Sequence, residues 1–134
     1  MNNLQSGDIG FVFKKTGFFG LRETENPGVD FAFIYVGVNT FAFVEKGKLI
    51  PGGMATLTKR KVVVKRRSEL SNEDRSNLLW YVQSFLVNKK KTPDNTNFIV
   101  DVFEYVSKPL FPENEAPETL EDIFETSKVL FEVK

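Results

Sequence analysis

The sequence predicts an α+β domain, an antiparallel sheet of about four to six strands packed against two to three helices. Three observations predict it. The apolar residues of positions 1–67 come in short runs broken by Gly, Pro and Asn, the mark of strands joined by turns. From Ser71 to Val106 they recur every three or four residues instead, which is the spacing of a helical face. The 134 residues, 41% of them hydrophobic, suit one domain with its own core.

Ile9-Gly-Phe-Val-Phe13 is the first strand, set between Gly7-Asp8 and Lys14-Lys15. Residues 14–30 hold Gly17, Gly20, Pro27 and Gly28 and read as a long loop, a kind of segment that often carries function. In Phe31-Ala-Phe-Ile-Tyr-Val36, alternation puts Phe31, Phe33 and Tyr35 on one face and Ala32, Ile34 and Val36 on the other. A strand apolar on both faces belongs in the middle of a sheet. Gly37-Val-Asn-Thr40 is the turn of a hairpin whose return strand is Phe41–Glu45, and Gly47 and Pro51-Gly-Gly53 read as punctuation after it. Lys61–Lys65 is a β-branched strand flanked by Lys59, Arg60, Arg66 and Arg67. Such a run of cations reads as a solvated strand edge that deters edge-to-edge pairing.

Ser71 with Asp74 three residues on forms a capping box, and Glu73 and Asp74 suit the positive end of a helix dipole. Leu78, Leu79, Val82, Phe85 and Leu86 mark the buried face of a helix over 72–87. Lys89 to Asn97 is a polar loop with Pro93. A second helix is expected from near Asn97, with Ile99, Val102, Phe103 and Val106 inward, Asp101 and Glu104 outward, and Pro109 as its stop. Residues 112–134 are acidic, yet Leu120, Ile123, Phe124, Val129, Leu130, Phe131 and Val133 suffice to dock them on the body. The chain reads as a single domain over 1–134, with a strand-rich part over 1–67, two helices over 68–111 and the docking tail over 112–134.

Composition excludes much chemistry. Eighteen Lys+Arg balance eighteen Asp+Glu, whereas a general nucleic-acid binder carries a basic excess. No apolar run approaches the roughly 18 residues of a membrane span. The start, Met1 to Gly7, lacks the basic-then-apolar pattern of a signal peptide, so a cytoplasmic or virion-associated location is expected. There is no Cys and no His. That removes the thiolate nucleophile, the disulfide, the usual general base and the commonest metal ligand. No metal and no cofactor is expected, which leaves carboxylate, Lys, Tyr or Thr chemistry, or binding.

The order of elements, with four stretches along it, resembles the circularly permuted NlpC-type branch of the papain-like superfamily of cysteine peptidases and amidases. Ser6-Gly7-Asp8-Ile9-Gly10-Phe11-Val12 looks like that branch's opening Gly-Asp-Ile/Leu strand, and Phe31-Ala-Phe-Ile-Tyr-Val-Gly37 is similar to its His-Val-Gly-Ile-Tyr-x-Gly strand. Phe43-Val-Glu45 is like the hydrophobic-Glu element that follows. Val62-Val-Val-Lys-Arg66, then Leu70-Ser-Asn-Glu-Asp74, looks like its strand and Leu-Ser-x-Glu helix start. Ala116-Pro-Glu-Thr-Leu120 is similar to a Thr-Pro-x-Asp-Leu segment near the C-terminus of several members. The resemblance implies a catalytic His in the second strand and a Cys at the start of the later helix. Here Phe31 stands at the His position, and the Cys position falls between Thr96 and Ile99, most simply at Phe98. Papain-type catalysis is lost, and the resemblance implies a pseudoenzyme acting by binding.

Each candidate residue has a bland reading beside the functional one. Phe31 is core, a plug in the former groove, or a ring on which a ligand stacks. Glu45 matches a polar position in the resemblance and either orients a ligand or ends a strand in solvent. Asp30 and Glu45 as a carboxylate pair across the hairpin, or Thr96 as a hydroxyl nucleophile, give the alternative reading of a hydrolase in the former catalytic groove. Lys14-Lys-Thr-Gly17 lacks the phosphate-loop pattern. The best binding candidate is Phe18, Phe19 and Leu21 beside Arg22, because aromatics and Arg dominate binding hot spots; the alternative is a loop folded back over the sheet. The expected partner is a protein or a second copy of the chain, with a small cell-wall or acyl ligand of the kind active relatives recognise coming second. A phage or other viral accessory or virion component is the setting that a repurposed hydrolase fold suggests.

Overall fold

The computed structural model describes residues 3–15 and 28–134, together with the backbone of 18–19 and 22–23. Its strands are β1 (Ile9–Phe13), β2 (Phe18–Phe19), β3 (Arg22–Glu23), β4 (Val29–Gly37), β5 (Thr40–Glu45), β6 (Lys48–Gly53), β7 (Val62–Arg67) and β8 (Leu130–Glu132). Its helices are α1 (Asn72–Asn88), α2 (Asn95–Tyr105) and α3 (Leu120–Thr126), with a 3-10 turn at Met54–Leu57. Six strands make one sheet in the order β6-β5-β4-β1-β7-β8, every neighbouring pair antiparallel. The short β2 and β3 pair with each other in a separate two-stranded sheet. The α+β class and the strand and helix numbers predicted from the sequence are those observed.

The alternation read in Phe31–Val36 is realised. Ala32 and Ile34 of β4 face the helices with Ile9 and Phe11 of β1 and Ala42 of β5, against Leu78 and Val82 of α1, Phe98, Ile99, Val102 and Phe103 of α2, and Ile123 of α3. On the opposite face Val12, Phe33, Tyr35, Phe41 and Leu57 form a second cluster, flanked by the less buried Phe31, Phe43, Met54 and Val62. Each fully buried Phe of these layers contributes about 1.5–3 kcal/mol over its exposed state. Two glycines make room for rings: a Cβ on Gly10 would stand 1.9 Å from the Phe33 ring, and one on Gly52 would stand 2.5 Å from that of Phe41. The sheet therefore needs glycine at both places.

Several expectations are corrected. Lys48–Gly53 is a strand, not punctuation; it lies at the sheet edge, where Pro51 can be accommodated. Its Gly52 is a packing residue for Phe41 rather than a breaker. Helix α2 begins at Asn95, two residues before the expected start, because Asp94 caps it by accepting from the Asn97 N–H. It also ends at Tyr105, ahead of Pro109, with Val106 as its C-cap.

The basic run is not a solvated edge. β7 lies between β1 and β8, and its cations are held by the fold. Arg66 donates to both carboxylate oxygens of the buried Asp8, at 2.8 and 2.9 Å. Arg67 is buried and donates to the carbonyls of Ser68, Lys108 and Pro109. Lys65 lies over the Phe124 ring and donates to the Phe124 carbonyl. The acidic tail is more regular than expected: Thr119 and Asp122 form a capping box for α3, and Phe124 packs edge-on against Phe11 and Phe13. Glu121 reaches β4, accepting from the Val29 N–H at 2.6 Å. Within the expected loop 14–30 the backbone forms a ladder pairing Phe18 with Glu23 and Phe19 with Arg22.

Candidate functional site

The start of α2 is where the resemblance places a nucleophile, and its residues are committed to structure. Asp94 accepts from the Asn97 backbone N–H at 2.8 Å and from the Asn97 side chain at 3.1 Å. Asn95 clamps β4, its Oδ1 accepting from the Ala32 N–H at 2.8 Å and its Nδ2 donating to the Ala32 carbonyl at 3.0 Å. The clamp has a clear cause. β5 pairs with β4 only from Ile34 onward, so the outer backbone groups of Ala32 have no strand to meet. Thr96 sits in the same turn, half-buried, and no carboxylate among the described residues bonds its hydroxyl. Phe98 is 1% exposed and packs edge-on under Phe85, ring centroids 5.5 Å apart.

Phe31 and Phe98 are not brought together. Phe98 belongs to the core between sheet and helices, whereas Phe31 flanks the cluster on the far face, 4.7 Å from the Phe43 ring. Asp30 and Glu45 also stand apart in their bonding. Asp30 accepts from Arg60 at 2.7 Å, and Glu45 ends β5 exposed, in register with Lys48 of β6. Of the binding candidates, Leu21 and the side chains of Phe18, Phe19 and Arg22 lie outside the described residues. Among the described residues no group of three His, Cys, Asp or Glu can hold a metal ion.

A hollow among the described residues lies elsewhere. Val100, Asp101 and Glu104 of α2 face the segment 109–117 across a groove of about 720 Å³. Pro109, Phe111, Pro112 and Pro117 give it an apolar wall, and Glu113 and Glu115 bring further carboxylates. Burial, with the nearby Asp94 second, raises the Asp101 carboxyl above the ordinary carboxylate range. Beside it, Tyr105 of α2 stacks on Tyr81 and Trp80 of α1, at 4.3 and 6.3 Å between ring centroids. Burial, then the Asp101 charge, raises the Tyr81 hydroxyl. Trp80 is 63% exposed and Tyr105 47%.

No known protein family, curated protein or solved structure matches the chain. The groove and its rings were missed by motif reading, since carboxylates at 101, 104, 113 and 115 have no motif spacing. One signal was present. Trp80 is the sole tryptophan, and it falls off the helical face marked by Leu78, Val82 and Phe85. A Trp on the polar side of an amphipathic helix is a binding cue.

Proposed function

We propose that this chain is a non-enzymatic binding or structural protein on an inactive permuted papain-like hydrolase fold, with a protein as its partner and a viral accessory or virion role as its setting. The observation that carries the reading is the occupancy of the α2 start. A catalytic site of this type needs a nucleophile and a base within hydrogen-bond reach, the nucleophile drawing on the N–H groups of a helix N-terminus. Asp94 and Asn95 use that turn to cap the helix and clamp β4, and Phe98 places an inert ring beneath Phe85. Phe31, on the other face, offers neither base nor acid.

The test is affinity capture of the tagged protein from its host's lysate, with its solution mass measured in parallel, for the wild type and a Phe18→Ala/Phe19→Ala variant. A stoichiometric partner or defined oligomer lost in the variant is the expected outcome. Turnover of a peptide, amide or ester substrate that disappears in Thr96→Ala or Glu45→Gln would overturn the reading in favour of a hydrolase.

A further inference from the structure

The groove beside α2 and the ring stack across α1 and α2 adjoin at Asp101, which lines the first and bears on Tyr81 of the second. We propose that this face binds a basic peptide segment of a partner protein, with its Lys or Arg side chains lying over Trp80 and Tyr105 and reaching the carboxylates of Asp101, Glu104, Glu113 and Glu115. The inference rests on the reading above, that the protein works by binding another protein, and it adds to Phe18 and Phe19 a further contact with a stated chemistry.

Charge complementarity favours this occupant. Four carboxylates line the groove, no Lys or Arg does, and none of the four forms an ion pair among the described residues. Of the neighbouring cations, Lys108 bears on Asp74 at the start of α1, and Lys128 shares an adjoining hollow with Glu115, Phe111 and Pro112 without lining the groove itself. In a chain of zero net charge this is a local concentration of anions, not a property of the whole surface. Val100, Phe111 and the three prolines offer the apolar contact that the methylene stem of a Lys or Arg requires. Exposed ring faces attract cations, Trp most strongly, and a carboxylate beside the ring strengthens the site. Trp80 is 63% exposed although it stacks on Tyr105, and Trp and Tyr are the residues that anchor interfaces. A groove bounded by a helix on one side and the irregular segment 109–117 on the other leaves room for a peptide chain between them.

Trp80 is the only tryptophan, so selectively excited tryptophan fluorescence reports on this face alone. The full chain is titrated with an octa-arginine peptide and, as control, an octa-glutamate peptide. The expected result is a saturable change with the basic peptide only. Its dissociation constant should rise at least about tenfold in Asp101→Asn/Glu104→Gln and in Tyr105→Ala, the size of a hot-spot loss. Tyr105→Phe, which keeps the ring, should retain binding and so separates loss of the ring face from loss of the fold. Glu125→Gln/Glu132→Gln removes the same charge outside the groove and should leave affinity unchanged. The proposal is overturned if no saturable change occurs, or if that control variant weakens binding as much, which would reduce the effect to net charge. It is also overturned if the groove is filled by a concentration-dependent self-association that Lys89→Ala/Lys90→Ala/Lys91→Ala abolishes, which would make the occupant a second copy. A protein that captures a partner from lysate yet ignores the basic peptide refutes this inference and leaves the binding reading standing.

Discussion

Asp8 is 1% exposed, and its charge is balanced within the sheet by the fork of Arg66 and by the Gln5 N–H, which donates to it at 2.8 Å. Removing one partner of such a pair strands the other, so Asp8→Ala should lower unfolding free energy by about 3 kcal/mol in urea titration. Arg66→Lys should also destabilise, because an ammonium cannot reproduce the two-oxygen fork. Asp101 behaves in the opposite sense. Its carboxyl is raised by burial, so the folded state disfavours its charge, and the cost is present at neutral pH and relieved as pH falls through the folded-state pKa. Asp101→Asn should therefore raise the thermal midpoint at pH 7 and narrow its gap to the value in mild acid. A destabilised Asp101→Asn protein would refute that sign. At Val38, φ is +50° on a β-branched residue that is 94% exposed. Such backbone strain has no packing to offset it, and Val38→Gly should stabilise the β4–β5 hairpin by about 1 kcal/mol, read as a higher urea midpoint.

At the scale of elements, α1 and α3 begin with the same device. Ser71 with Asp74, and Thr119 with Asp122, exchange backbone and side-chain hydrogen bonds across the first turn. Backbone N–H donors, from Ser71 in one case and Glu118 then Thr119 in the other, hold Asp74 and Asp122 below the usual carboxylate range. The stability these carboxylates add is present above their unfolded pKa and is lost as pH falls through the lowered folded value. Ser71→Ala and Thr119→Ala should each cost about 1 kcal/mol in chemical denaturation, with the loss shrinking in acid. The first box was legible in the sequence, because an amphipathic run follows it directly. The second was not, since α3 has only seven residues and carries no repeated period. β6 was hidden for a different reason: Pro51-Gly52-Gly53 has the composition of a turn, and the place of Gly52 in an edge strand under the Phe41 ring is set by a neighbour far from it in sequence. The basic strand misled because a run of cations shows charge but not that Asp8 waits opposite Arg66. Of the site, Phe31 and Phe98 were readable as residue types at the positions that the resemblance singles out, whereas the Asn95 clamp depends on where β5 leaves β4.

For the molecule as a whole, the absence of His removes the side chain that ordinarily titrates between about pH 6 and 8. Partner association measured by light scattering at constant ionic strength should be flat across that window; a steep step would point to a strongly shifted acid or amine. The sheet is the common frame for both faces. Its helix side carries the clamp and, on the outer surface of α2, the carboxylate groove; its other side carries the rings of Phe31, Phe33, Phe41 and Phe43. Phe33 lies directly on the backbone of Gly10 with Phe41 4.4 Å away, so it has no free volume in which to turn. A half-turn of that ring requires β1 and β4 to separate momentarily. In an NMR spectrum its two edges should thus remain distinct well above the rate of an exposed ring. The temperature at which they merge would clock the breathing of the innermost strand pair.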